Sequence, residues 1–157
     1  MVRTMKREDR ERVLDIVRAT EMFTPDEVFF AREQVDIYLD QPHQRDYFLA
    51  VAEDGGGRVV GYMSYGQTPL TDAGYDLYWM AVAPDAQGRG YGKELVAWLE
   101  KRVKEAGGRW IMIETSSQSK YERTRNFYIQ LDYREVSRIP DFYKPGDDRV
   151  TYVKYIS

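Results

Sequence analysis

Hydrophobic and polar positions change period several times along the chain. Between residues 8 and 19, Val13, Leu14, Ile16 and Val17 recur among Glu, Asp and Arg at a spacing that predicts an amphipathic helix. Thr24-Pro25-Asp26-Glu27 predicts a second helix start. Thr24 can cap, Pro25 suits the first helical position, and Glu27 completes a capping box. Val28, Phe29, Val35, Tyr38 and Leu39 form its apolar stripe, and it should stop before Pro42. From Tyr47 the period shortens. Residues 47–52 read as a strand, Gly55-Gly56-Gly57 as a tight turn, and residues 58–65 as the hairpin partner. Residues 69–74 read as a loop, and Asp76 to Val82 as a nearly continuous apolar strand, hence a central one, ended by Pro84.

A glycine-rich stretch, Gln87-Gly88-Arg89-Gly90-Tyr91-Gly92, leads directly into a third helix. Its apolar face is Leu95, Val96, Leu99 and Val103, and Gly107-Gly108 terminates it. Trp110 to Glu114 reads as a short buried strand. Residues 121–130 read as a helix with Phe127 and Leu131 inward. Residues 134–139 and 150–156 read as two last strands. The intervening Pro140 to Asp148 is rich in turn residues and reads as a loop. No repeat, linker or low-complexity tract interrupts residues 1–157, so one domain is expected, a mixed sheet with helices on it.

Composition narrows the chemistry. The 157 residues contain no cysteine, which excludes disulfides, a thiol nucleophile, Cys-ligated zinc and iron–sulfur clusters. A single histidine, His43, excludes a His-rich metal site, and no metal is expected. His43 follows Pro42 in a loop and no Gly-x-Ser-x-Gly elbow is present, so a serine triad is not expected. The net charge of -3 and pI near 5.3 argue against nucleic acid as a partner. No apolar run approaches the ~20 residues of a membrane span. The polar start, Met1 to Arg7, leads into no signal-peptide core. A cytoplasmic location is therefore expected, with no membrane partner.

The junction from Trp79 to Lys93 is the most informative. A strand, a glycine-rich loop and a helix start leave unpaired N–H groups at the positive end of a helix dipole, where phosphate binds. A Walker A loop fails because Gly92-Lys93 is followed by Glu94 and Gln87 occupies the first glycine position. A dinucleotide fingerprint fails because its last glycine would fall on Lys93 or Leu95. What remains is Gln/Arg-x-x-Gly-x-Gly, met by Gln87, Gly90 and Gly92.

On these residues the chain resembles the GCN5-related N-acetyltransferase (GNAT) superfamily. Met80-Ala81-Val82-Ala83-Pro84 precedes the loop, and Phe127-Tyr128-Ile129-Gln130-Leu131-Asp132-Tyr133 is similar to the family's Phe-Tyr-x-x-x-Gly-Phe segment. Asp132 and Tyr133 replace the usual glycine and phenylalanine, which affects a turn and packing more than chemistry. The resemblance covers nearly the whole chain. It implies an α/β (α+β) fold, with a mixed, mostly antiparallel sheet of about seven strands and about four helices packed on it.

It also implies acetyl-CoA as co-substrate. Backbone amides from Gln87, Gly88, Arg89, Gly90, Tyr91, Gly92 and Lys93 would grip the pyrophosphate, with charge from Arg89 and Lys93. Backbone groups near Met80, Ala81 and Val82 would pair with the pantetheine arm and steady the oxyanion. Tyr128 falls on the family tyrosine that points at the CoA sulfur, making it the general-acid candidate. Asp76, five residues before Ala81, falls where some members carry a glutamate that deprotonates the amine through water. Glu114 on the neighbouring strand is the second candidate for that role. Glu21, Glu27, Tyr62 and Tyr65 are candidates to line the acceptor pocket by charge or cation–π contact, with Phe142-Tyr143 closing over it.

The reading is an acetyl-CoA-dependent N-acetyltransferase acting on a primary amine by direct attack in a ternary complex. A small-molecule amine is the favoured acceptor. A protein N-terminal or lysine acetyltransferase is the alternative within the class, and a non-catalytic acyl-CoA-binding sensor or interaction module the alternative outside it. A homodimer stays open, since nothing in the sequence decides it.

Overall fold

The computed structural model describes residues 1–156. Its strands are β1 (Val2–Thr4), β2 (Phe48–Glu53), β3 (Val59–Gln67), β4 (Gly74–Val82), β5 (Trp110–Ser116), β6 (Arg134–Lys144) and β7 (Asp147–Tyr155). Its helices are α1 (Arg10–Ala19), α2 (Pro25–Asp40), α3 (Tyr91–Glu105) and α4 (Glu122–Gln130). The seven strands form one sheet in the order β1-β2-β3-β4-β5-β7-β6. The chain divides into two compact units, residues 1–67 with 77–102, and residues 68–76 with 103–157. No helix among the described residues is long and apolar enough to cross a membrane.

In the first unit, β1 pairs antiparallel with β2, and β2 with β3. The helical periodicity of α1 is realised, with Val13, Leu14, Ile16 and Val17 all at most 1% exposed. Leu95, Val96 and Leu99 of α3 are equally buried. Each such side chain contributes about 1.5–3 kcal/mol. Thr24 caps α2 as its sequence predicts: its hydroxyl accepts from the Glu27 N–H at 3.2 Å, and Glu27 accepts from the Thr24 N–H at 3.1 Å. The helix buries Ala31 and Val35, however, and leaves Phe29 half exposed beside Phe30, so the apolar stripe expected from Val28 to Leu39 is narrower than its sequence.

In the second unit β7 pairs antiparallel with both β5 and β6. Trp110 lies flush against Gly74, where any β-carbon would meet the indole ring. Asp132 ends α4 at φ 70°, the left-handed conformation that its glycine-like position requires. The Tyr133 N–H then returns to the Tyr128 carbonyl at 3.1 Å. Aspartate tolerates that region better than most side chains, so the departure from glycine leaves the turn intact.

Three expectations need correction. β1 was not foreseen, because three mostly polar residues carry no period of their own and gain strand structure only through β2. The segment 140–148 is largely strand: β6 runs through Pro140 to Lys144 and the turn is confined to residues 145–146. Proline fits there because β6 is an edge strand whose ladder to β7 is interrupted between Ile139 and Lys144. On α4 the buried residue is Tyr128, not Phe127 or Leu131, which stay part-exposed.

Arg3 ties the first unit together. Its guanidinium donates to both Asp9 oxygens at 2.7 and 3.0 Å, and to Glu53 at 2.6 Å. Burial alone would raise the Asp9 carboxyl, but Arg3 and the Lys6 N–H outweigh it and hold the group below the usual range. A lowered folded pKa stabilises above the unfolded value and is lost as pH falls. Asp9→Asn should cost about 3 kcal/mol in denaturant unfolding at neutral pH, because it leaves Arg3 without its main partner. The loss of parent stability below about pH 4 should be shallower in that variant.

Candidate active site

The glycine-rich junction forms as its residues require. Pro84–Ala86 makes one short 3-10 turn after β4, and Gln87 to Gly90 is exposed. Gly88 and Gly90 take φ of 77° and 91°, conformations that side-chain-bearing residues rarely adopt. A β-carbon at Gly90 would meet nothing within 4 Å, so the space over the loop is open. Glu94 N–H makes the first helical bond, to the Gly90 carbonyl at 3.0 Å. The N–H groups of Tyr91, Gly92 and Lys93 precede it and lie where a helix has no acceptor for them. Such an end attracts an anion. The side chain of Gln87 turns back instead, donating to the Val82 carbonyl at 3.1 Å. It braces the loop against the end of the strand.

Only Gly74, Leu77 and Ala81 of the nine β4 residues are buried, although β4 is fourth of seven in the sheet. A central strand normally loses both faces to neighbours. Met80 and Val82 retain partial exposure, and Ala81 lies in the core at 6%.

In the second unit, a chain of polar side chains runs across the sheet. The Thr68 hydroxyl donates to Asp76 Oδ2 at 2.8 Å. Asp76 is half-buried, and burial raises its carboxyl above the ordinary carboxylate range. The Thr68 hydrogen bond pulls it down, and the negative charge of Glu114 pushes it up again. Glu114 lies 3.7 Å from the Arg149 guanidinium, whose carbon stands 4.8 Å over the Phe142 ring. The β5–β7 register explains the grouping: Glu114 faces Thr151, and Ser116 faces Arg149, so all four point to one side of the sheet. The two carboxylates nominated from sequence as bases are thus electrostatic neighbours.

Tyr128 is 4% exposed, edge-on to Phe127 and Tyr133 with ring centroids 5.1 and 5.9 Å away. Burial pushes its phenol well above the ordinary value, so it is protonated at neutral pH and could act only as a donor. Arg125, one helical turn before Ile129, donates to the carbonyls of Ser116 and Gln118 at 2.8 Å each, fastening α4 to the end of β5.

The other nominated pocket residues fall in varied surroundings. Glu27 serves the capping box of α2. Tyr62 lies in the core at 1% exposure, and burial raises its phenol. Tyr65 is stacked on Phe48 at 5.5 Å and edge-on to Trp98 at 6.3 Å. Glu21 is exposed at φ 55°, next to the end of α1. Phe142 carries Arg149, as part of a strand rather than a loop. Arg149, Thr68 and Thr151 were not singled out from sequence. The signal for Arg149 was a cation beside a strand start, legible only once β5 and β7 are in register. Among the described residues no group of three or more His, Asp or Glu could hold a metal ion.

The sequence model of the acetyltransferase (GNAT) family matches residues 13–133. A crystal structure from Desulfovibrio desulfuricans, assigned to the same family, is 36% identical, with 100% of this chain and 99% of that chain covered and a TM-score of 0.94. An aminoglycoside 6'-N-acetyltransferase complexed with coenzyme A shares the fold at 20% identity, covering 100% of this chain and 97% of that chain, with a TM-score of 0.77. So does the ribosomal-protein-S18-alanine N-acetyltransferase from Escherichia coli, at 17% identity, 100% and 94% coverage and a TM-score of 0.78. No curated protein matches the sequence.

The Asp76 environment can be tested directly. Glu114→Gln should lower the Asp76 carboxyl pKa by removing a like charge, and Thr68→Val should raise it by removing a donor to the ionised form. Carboxyl-carbon NMR titration of the two variants would show shifts of opposite sign. Shifts of the same sign would mean the two neighbours do not act on Asp76 in this way.

Proposed function

Because the chain belongs to the GNAT family of acetyltransferases, we propose that it moves the acetyl group of acetyl-CoA to the primary amine of a small molecule. It is an acyltransferase, and enzymes of this family use acetyl-CoA as co-substrate. The whole of residues 1–157 would serve as one transferase domain. The observation that carries the choice of an amine as acceptor is the carboxylate pair Asp76 and Glu114 with a half-buried, raised-pKa member. An ammonium group is attracted to such a pair, and the basic member can then take its proton.

Acetyl-CoA supplies the activated acyl group as a thioester. The loop from Gln87 to Lys93 fits its pyrophosphate, since two left-handed glycines open the space in front of a helix start, whose first N–H groups have no intrahelical acceptor. By likeness to the family, backbone groups of Met80 to Val82, just before that loop, would pair with the pantetheine arm and steady the oxyanion. Asp76 accepts the ammonium proton, directly or through water, with Glu114 as the second candidate. The free amine then attacks the thioester carbonyl, so that a C–N bond forms and the C–S bond breaks. As the amide forms the nitrogen gives its second proton to water, Tyr128 gives its phenolic proton to the departing sulfur, and the phenolate is reprotonated from solvent. Direct transfer is favoured because the sequence has no cysteine to carry the acyl group.

Protein amines are acceptors for one relative with this fold and aminoglycosides for another, by their names. At 20% identity or less these likenesses concern the fold alone, so the acceptor is argued from Asp76 and Glu114. A free-thiol assay over a panel of amines tests the reading. Thiol release that requires an amine supports the transferase, and acetyl-CoA binding without release under any amine would point to a binding module.

Gly90→Glu should lower acetyl-CoA affinity at least roughly tenfold in calorimetry, by adding both a side chain and a negative charge where an anion is to sit. Unchanged affinity would remove the loop from the binding site. Tyr128→Phe should lower kcat by roughly a hundredfold and leave acetyl-CoA affinity within about twofold. Equal turnover in variant and parent would remove Tyr128 from the proton transfer.

A further inference from the structure

Resting on the amine-acceptor reading above, we infer that Arg149 selects an acceptor that carries an oxyanion as well as its amine: a small zwitterion of the amino-acid type. Arg149 has five N–H donors, yet among the described residues its one ionic partner is Glu114, at 3.7 Å and too long for a hydrogen bond. Its Nε is buried and meets no acceptor. The Arg149 side chain is 26% exposed, and its guanidinium carbon stands over Phe142, 4.8 Å from the ring centre. A guanidinium fixed on an aromatic face with unused donors is preorganised for a carboxylate or phosphonate, which it can bind bidentately.

A second observation points to the same face. Thr151 stands opposite Glu114 in the ladder and is 3% exposed, and its hydroxyl meets no partner among the described residues. A buried hydroxyl without a partner is costly unless something fills it. The face therefore offers, in sequence across the sheet, a carboxylate for an ammonium and donors for an anion. Asp76 and Glu114 lie at the first end, and Arg149 and Thr151 at the second. A purely cationic acceptor would satisfy the first end and be repelled by Arg149. A zwitterion satisfies both.

The test is a free-thiol assay of the full chain with acetyl-CoA and three matched sets: the twenty common L-amino acids, their α-amides, and simple aminoalkylphosphonates. The inference expects at least one free acid or phosphonate to exceed its amide, or the amine lacking the anion, roughly tenfold or more in kcat/KM. The first set against the third separates carboxylate from phosphonate recognition. Arg149→Gln should raise KM for that acceptor roughly tenfold with a smaller change in kcat, and leave the amide within about twofold. Amides or plain amines turned over as well as the free acids would overturn the inference and leave the amine-acceptor reading standing. Thiol release from none of the sets would overturn the inference too, and a positive result with a larger cationic amine would show that the broader reading survives it. The comparison of acids with amides uses the parent protein, so it holds even if the variant fails to fold.

Discussion

The register between β5 and β7 is the constraint on which the candidate site depends. Seven consecutive pairs, from Trp110 with Tyr155 to Ser116 with Arg149, leave no freedom to slide. Both ends are pinned. Ile156 N–H reaches the Arg109 carbonyl at 2.9 Å, and Ser117 N–H reaches the Asp148 carbonyl at 3.0 Å. The Ser116 hydroxyl also meets Asp147 Oδ1 at 2.5 Å. One face of this ladder is core, with Ile111, Ile113, Val150 and Tyr152 at 0–4% exposure. A slip of one residue would turn that face to solvent and is forbidden by its burial. The same rule turns Glu114 and Arg149 to the other side. The apolar residues thus decide where the charged ones stand, although they share no contact with any substrate.

The charges on that face hold one another in an unfinished balance. Asp76 is pushed up by burial and by Glu114 and drawn down by Thr68. Glu114 in turn faces Arg149 at a distance that allows attraction without a hydrogen bond. Structural ion pairs look different in this protein. Arg3 with Asp9 and Glu53 closes three charge-assisted hydrogen bonds at 2.6–3.0 Å. The contrast separates a pair whose work is to hold the fold from one whose donors are available.

Periodicity made much of the fold legible. α1 and α3 bury the very residues that helical spacing nominated, because a 3.6-residue stripe has one way to meet a sheet. The glycine loop was legible for a different reason: Gly88 and Gly90 occupy positive φ, a backbone demand that leaves its mark on residue choice. β1 and the second half of β6 were not legible. Both are edge strands, with no buried alternation to write into the sequence. Phe127 and Tyr128 are neighbours on α4, and hydrophobicity alone favoured the wrong one of the two for burial. Of the site, Asp76 and Glu114 were nominated from spacing and likeness. Arg149 was not, because its meaning comes from residues 33 to 35 positions earlier that only the ladder brings opposite it.

The exposed edge strand has a further consequence for that arginine. Every residue of β6 is exposed, and its pairing to β7 lapses between Ile139 and Lys144, where Asp141 takes φ 53°. Asp141 is held through its own N–H to Asp148 at 3.0 Å and through its carboxylate to the Gly146 N–H at 2.8 Å. The break in the ladder lets the strand bend, and Phe142 lies within the bend, against Arg149. A regular β6 would continue the two-residue alternation across residues 139 to 144 and fix Phe142 by the pleat alone. The break frees residues 140–143 from the ladder's register, Phe142 among them, while Ile139 and Lys144 stay paired with β7. The segment that carries Phe142 is thereby held locally by Asp141 and the Pro145-Gly146 turn, and Arg149 is brought beside it by a ladder that the core determines from the opposite face.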